Sequence, residues 1–224
     1  MMKVFVFLAL PLICSCANLT SASAAGTPIT PCLEDPNKQL LRSAELQQIV
    51  KADQDDREGP FDKIDWPQVS QRDEARRKRV GEILGEGCFK TAADYSAAAL
   101  VFQHGDNPDQ FFLTFVWAKK AVELGDESQS RLLAMGIDRY LTKSGHKQLF
   151  GTQATKSDSD PCWCLEDIEP SFPAEVRLKF WKKTIADQMA WVNSLNENSP
   201  KCKAANFCSK ILKKSPAGTV PGFW

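Results

Sequence analysis

The sequence predicts an all-α fold: a single domain of about five to six helices, an antiparallel helical hairpin in its middle, and irregular termini tied by disulfides. Three observations lead there. Apolar residues recur at three- and four-residue spacing over several long segments. Those segments open on pairs such as Asp35-Pro36 and Asn107-Pro108 and close on Gly105, Gly125 and Gly145. Six cysteines follow a leader of the exported kind.

The helices are justified in order. Asp35 as N-cap and Pro36 in the first turn open a helix that carries Leu40, Leu41, Ala44, Ile49 and Val50 up to Ala52. The acidic stretch Asp53 to Gly59 then leads into a Gly-Pro break. A second helix is expected from about Ser70 to Leu84, before Gly85 and Gly87. Thr91 and Asp94 form a capping pair for a third, which runs through Phe102 and stops at Gly105. Pro108 starts a fourth, with Phe111, Phe115, Ala118 and Val122 on one stripe. Ser128 is read as the cap of a fifth, with Leu132, Leu133, Ile137, Tyr140 and Leu141 inward. The short links between these last three imply antiparallel neighbours. Gly151 to Pro161 reads as a loop, and Pro173 opens one long helix reaching Leu195. Residues 32–196 are thus the helical domain, and 197–224 an irregular basic tail, with five lysines and no acids from Ser199 onward. A solvated tail is the expected state. Ala118 to Asp126 resembles part of a tetratricopeptide or Sel1 hairpin, but no second copy follows, so a solenoid is not expected.

Lys3 and the apolar run Val4 to Ile13 form a leader too short to span a bilayer, which takes roughly 20 residues. Ala22-Ser23-Ala24 suits ordinary cleavage and gives a signal peptide of residues 1–24. Ile13-Cys14-Ser15-Cys16 resembles a lipobox, which gives 1–15 with a lipid on Cys16. The expected location is the periplasm or the extracellular space, with the membrane reached only through that lipid. The leader's one charge is Lys3, so 28 basic residues become 27 against 28 acidic. So even a balance gives no electrostatic argument for nucleic acid as a partner.

In an oxidising compartment Cys32, Cys88, Cys162, Cys164, Cys202 and Cys208 are expected to pair as three bridges. Cys162 and Cys164 are too close to bridge each other, since the Cα atoms should stand about 5.5 Å apart with converging Cβ vectors. Cys202 with Cys208 could close a short loop, leaving Cys162 and Cys164 for Cys32 and Cys88. A metal site on Cys162 and Cys164 lacks a second ligand pair. With two histidines in the chain, a multi-His zinc site is not expected, and Asp53 to Ile64 lacks the Gly and closing Glu of a calcium loop. Phosphate-binding Gly-rich loops and the common hydrolase and metalloprotease motifs are missing, and no cofactor is expected.

Chemistry-bearing residues cluster in the middle of the chain. Gln103-His104-Gly105-Asp106 ends one helix, Asp138-Arg139 lies on a later one, and Gln148-Leu149-Phe150-Gly151-Thr152-Gln153 follows Gly145-His146. Together with Asp53, Gln54 and Arg57, these elements resemble a bacterial family known only as domain of unknown function 6624. Its pattern is D-Q-x-x-R, then QH-x-D, then DR, then Q-x-Y-G-T-Q. The resemblance covers roughly Leu40 to Leu195 and implies candidate positions but no activity. It departs at Phe150, where the family has Tyr, so any proton chemistry of that phenol would be lost here.

His104 is the leading candidate, as general base or metal ligand, with Asp106 or Asp138 as its orienter. A histidine at a helix C-terminus also gains about 0.3–1 kcal/mol from the helix dipole alone. Asp138 and Arg139 either bind a polar ligand or tie their helix to the Gln148–Gln153 loop by an ion pair. Gly151 is expected where the backbone takes a conformation other residues avoid. His146 reads as an exposed loop residue, and Trp66, Trp117, Trp181 and Trp191 as core. Two functions follow as expectations. The first is a module binding a small molecule or a protein through Gln103, His104, Asp106, Asp138, Arg139, Gln148, Thr152 and Gln153. The second is a hydrolase with His104 as base and Asp106 or Asp138 behind it.

Overall fold

The computed structural model describes residues 31–156, 161–199, 201–202 and 206–224. The leader, with both cleavage readings and Cys14 and Cys16, lies outside the described residues. Helices dominate: α1 (Pro36–Asp55), α2 (Trp66–Gly85), α3 (Ala92–Gln103), α4 (Pro108–Glu123), α5 (Ser130–Lys143), α6 (Ala174–Trp181) and α7 (Ile185–Asn196). A two-stranded antiparallel ribbon, β1 (Ala154–Thr155) and β2 (Cys164–Leu165), lies between α5 and α6. The described residues thus hold seven α-helices where about five to six were expected. No helix among them is long and apolar enough to cross a membrane.

The starts of α1, α3 and α4 follow the sequence signals. Asp35 accepts from the N–H of Asn37 and Lys38, Thr91 and Asp94 form a reciprocal capping box, and Asn107 accepts from Gln110 N. Two starts differ. Helix α2 begins at Trp66 rather than near Ser70, because Asp65 caps it and Pro67 suits its first turn. Ser128 does not cap α5: it sits in a short 3-10 turn, Glu127–Gln129, held by Asp126, and α5 begins at Ser130.

The long helix expected from Pro173 to Leu195 is two helices. Lys182 adopts a left-handed conformation (φ 58°) and ends α6, and Thr184 and Asp187 form a new capping box for α7. Helix α1 continues past Ala52 to Asp55, and Leu40 and Leu41 turn outward. Its buried residues are Gln39, Leu46 and Asp53, seven apart along one face.

Helix α4 is the centre of packing. It lies along both α3 and α5, with α1 against α3 and α6 against α5. Gly136 on α5 permits the closest approach: a Cβ there would stand 2.8 Å from Phe115 N and 2.9 Å from Thr114 Cγ2. The main core joins Leu46, Val80, Ile83, Phe102, Phe115, Trp117, Leu133, Ile137, Leu149 and Phe150. A smaller cluster of Leu165, Ile168 and Val192 lies under the ribbon. Trp117 and Trp181 are buried as expected, whereas Trp66 and Trp191 are half-buried.

The C-terminal residues are irregular but are not a solvated tail. Leu212, Ser215 and Val220 are buried, and Trp224 Nε1 donates to Ser215 O. Phe223 packs against Phe115, Phe150 and Phe180, with ring centroids 5.3, 6.1 and 5.6 Å away. The lysines that suggested solvation end at Lys214, and apart from Leu212 the residues that reach the core, Val220, Phe223 and Trp224, follow the last of them.

All six cysteines among the described residues pair: Cys32 with Cys88, Cys162 with Cys202, and Cys164 with Cys208. This corrects the pairing expected from spacing. Cys32 meets Cys88 because Cys32 N donates to Glu86 O, laying the two segments side by side. Cys164 lies on β2 and Cys162 at a bend two residues before it, and both bridge to the one segment that Leu165 joins through Phe207.

Candidate functional site

Most of the residues marked in the sequence belong to one polar network, but with different jobs. His104 is the C-cap of α3. Its Nδ1 lies 3.0 Å from the carboxylate oxygens of Asp53, a fully buried residue on the last turn of α1. Neither Asp106 nor Asp138 orients it, contrary to the expectation. Asp106 is an exposed side chain 3.9 Å from Arg77, and Asp138 is engaged elsewhere. His104 Nε2 makes no hydrogen bond among the described residues.

Behind this pair stands a layer of charge. Arg57 reaches both Asp53 (3.2 Å) and Asp73 (2.5 Å), and Gln54 donates to Asp53. Arg77 donates to His104 O at 3.0 Å. Burial pushes the Asp53 carboxyl upward, but hydrogen bonding and charge from His104, then Arg57 and Gln54, outweigh it and hold it below its ordinary value.

Asp138 holds a loop. It is buried, and its carboxylate accepts from the backbone N–H of Leu149 (2.8 Å), Phe150 (3.0 Å) and Thr152 (2.9 Å). The tie between α5 and this loop is therefore a nest of backbone amides rather than an ion pair. Burial pushes the Asp138 carboxyl up to about 6, against the pull of those three amides. Gly151, within the loop, takes φ +85°, and a Cβ there would meet Ile168 Cδ1 at 2.9 Å. Phe150 is fully buried, with its ring edge-on to Phe172 at 5.0 Å, so position 150 serves packing.

Gln148 is a brace of the same kind. Its amide donates to Gln153 O and Glu166 O, and its carbonyl accepts from Gln153 N. Thr152 gives its N–H to Asp138 and accepts from Gln153 Nε2 at its hydroxyl. His146 Nδ1 faces Lys214 O at 3.1 Å and stands apart from this network.

Arg139, one residue after the loop-holding aspartate, points to different partners. It donates to Gln103 O (2.7 Å), approaches Gln153 Oε1 (3.4 Å) and lies over the Phe111 ring. It is half-buried, burial lowers its pKa, and it forms no ion pair among the described residues. Gln103 is buried beside it, and both polar atoms of its side chain lack a hydrogen-bond partner.

Arg139 and Gln153 line a cleft of about 470 Å³ together with Gly105, Asp106, Phe111, Lys143, Glu166 and Lys210. That is within the ordinary range for small-ligand sites, about 300–1,000 Å³. Of the eight binding candidates, Asp106, Arg139 and Gln153 reach this cleft, while Asp138, Gln148 and Thr152 hold its wall.

Three contributors were not among the expected site residues. Asp53 was marked only through the family pattern, and its place seven residues beyond Leu46 is the local signal for its burial. Arg77 shares a stripe with Val69, Asp73 and Val80, a charge on an otherwise inward face. Glu166 follows the Cys-x-Cys element without any periodic signal. The chain matches no family model, no curated protein and no solved structure.

Proposed function

We propose that this protein is a binding module for a small anionic molecule, held in the cleft between α4, α5 and the ribbon. The observation that carries this reading is Arg139, a half-buried guanidinium with no carboxylate partner, exposed to the cleft beside the Gln153 amide. A buried charge is normally paired, and an Arg fork suits a planar carboxylate or a phosphate oxygen pair. Lys143 and Lys210 on the same cleft add to the positive field. The test is a thermal-melting titration with millimolar acetate, propionate, citrate and phosphate at constant ionic strength. At least one anion should raise the melting temperature of the wild type and leave Arg139→Gln unmoved. Equal shifts for both proteins, or none, would refute the site.

A second reading, a hydrolase-type enzyme, is favoured by a different observation. A buried Asp53 fixes His104 through Nδ1, the arrangement that leaves Nε2 to act as a general base. His104 does not line the 470 Å³ cleft, which places this reading second.

Export and membership of the domain-of-unknown-function family 6624 belong to the same proposal. Three disulfides support an oxidising compartment. Family membership is supported by the way the quoted elements meet: Asp53 with His104, Asp138 with the Leu149–Thr152 loop, and Arg139 with Gln153. The short links around Asn107 and Asp126 support an up-and-down run of α3, α4 and α5.

A further inference from the structure

A second ionisable group on the cleft lacks an ion-pair partner, as Arg139 does, and its charge has the opposite sign. Glu166 is 8% exposed, and its side chain makes no hydrogen bond among the described residues. One of its oxygens, Oε2, is fully buried without a partner. The main chain of Glu166 is firmly held: its N–H donates to Gln153 O, and its carbonyl accepts from Gln148. The ribbon therefore fixes where this carboxyl sits. Its side chain is left with nothing to accept from, and a buried acceptor without a donor costs free energy.

Arg139 and Glu166 line the same cleft, yet they form no ion pair within 4.0 Å. Lys143 and Lys210 act on Glu166 by charge but likewise make no ion pair with it. A single anion in the cleft would satisfy Arg139 and leave the buried carboxyl facing a like charge. A ligand that carries both charges would satisfy both ends.

We infer that the cleft takes a small zwitterion, a molecule of the amino-acid or short-peptide class, with its carboxylate on Arg139 and Gln153 and its ammonium group on Glu166. This inference rests on the anion-binding reading above and narrows its ligand. The Gln153 side chain, which reaches toward Arg139 while its main chain bonds Glu166, sets the two ends in fixed register. An ammonium group offers three donors to a carboxyl that has none, and a donor joined to a charged acceptor is among the stronger hydrogen bonds. Asp106, exposed on the same cleft, adds a second acidic group for a longer ligand to meet.

The experiment compares probes matched in length. Binding of glycine, β-alanine, γ-aminobutyrate and glycylglycine is measured by calorimetry beside acetate, propionate, butyrate and N-acetylglycine. At least one zwitterion should bind about tenfold or more tightly than its matched carboxylate. Glu166→Gln should erase that advantage while keeping the carboxylate affinities and a melting temperature no lower than the wild type's. Matched pairs of equal affinity would overturn the zwitterion and leave the anion site standing. If no probe of either kind binds, both readings fall. Should Glu166→Gln not fold, the wild-type comparison alone decides.

Discussion

His104 Nδ1 lies 3.0 Å from the carboxylate of Asp53, so one polar contact closes the last turn of α1 onto the C-terminal cap of α3. The folded Asp53 carboxyl sits below its ordinary value, so it gives up its proton more readily than in the unfolded chain. Its contribution to stability is therefore present above the unfolded pKa, about 3.9, and is lost as pH falls through the folded value. Asp53→Asn should cost about 1–3 kcal/mol at neutral pH and flatten the acid limb of the stability curve. Urea melts of both proteins from neutral to acidic pH check this. Parallel acid limbs would show that Asp53 is not a source of the slope.

Asp138 should show the opposite dependence. Its folded carboxyl is pushed up to about 6, above the unfolded value of about 3.9. The folded state therefore holds the proton more tightly. The resulting stability is fully present below about pH 4 and is lost as pH rises through about 6. Asp138→Asn should remove that fall between the two values. It should also destabilise the protein by about 2–4 kcal/mol, since an amide cannot accept from all three backbone N–H groups. Denaturant titrations of the two proteins at acidic and neutral pH would reveal it. A wild-type-to-variant difference that does not change with pH would contradict the account.

Gly136 allows α4 and α5 to meet at backbone distance. The nearest atom to an added Cβ is a backbone nitrogen, which cannot swing aside as a side-chain end can. Gly136→Ala should therefore lower stability by about 1–3 kcal/mol despite the better helix propensity of alanine. Thermal melting of the variant measures this, and a stabilised variant would show that the helices separate at little cost.

The Cys32–Cys88 bridge closes a loop across α1 and α2, with a sequence separation of 56. Replacing both cysteines by serine should cost up to about 4 kcal/mol by loss of the constraint on the unfolded chain. Peptide mapping under non-reducing conditions should recover the three pairs described above. Peptides joining Cys202 to Cys208 would instead restore the pairing suggested by sequence spacing.

The helical class, the capping pair at Thr91 and Asp94, and the starts at Pro36 and Pro108 were legible in the sequence, because each rests on local backbone chemistry. The break at Lys182 was not. A lysine carries no marker for a left-handed conformation, and the apolar spacing runs on through it. The partner of His104 was hidden for a different reason. Asp53 follows an apolar stripe and opens an acidic run, so it reads as a helix end despite its seven-residue spacing from Leu46, and it is buried where α1 docks against α3. Asp138 and Arg139, adjacent in sequence, point to different tasks because neighbouring positions on a helix diverge by about 100°.

The two bridges beside the ribbon raise a question of choice. Cys162 and Cys164 are separated by one residue, and their partners Cys202 and Cys208 lie on one segment. Exchanging partners would close loops of nearly the same length, so chain statistics separate the right and crossed isomers by only a small fraction of a kcal/mol. What distinguishes them is the backbone exchange between Leu165 and the 206–208 segment, in which Leu165 N donates to Asn206 O and Cys208 N donates to Leu165 O. These two amide hydrogen bonds favour the native isomer, and a chain oxidised before they form would depend on thiol exchange to sort the two.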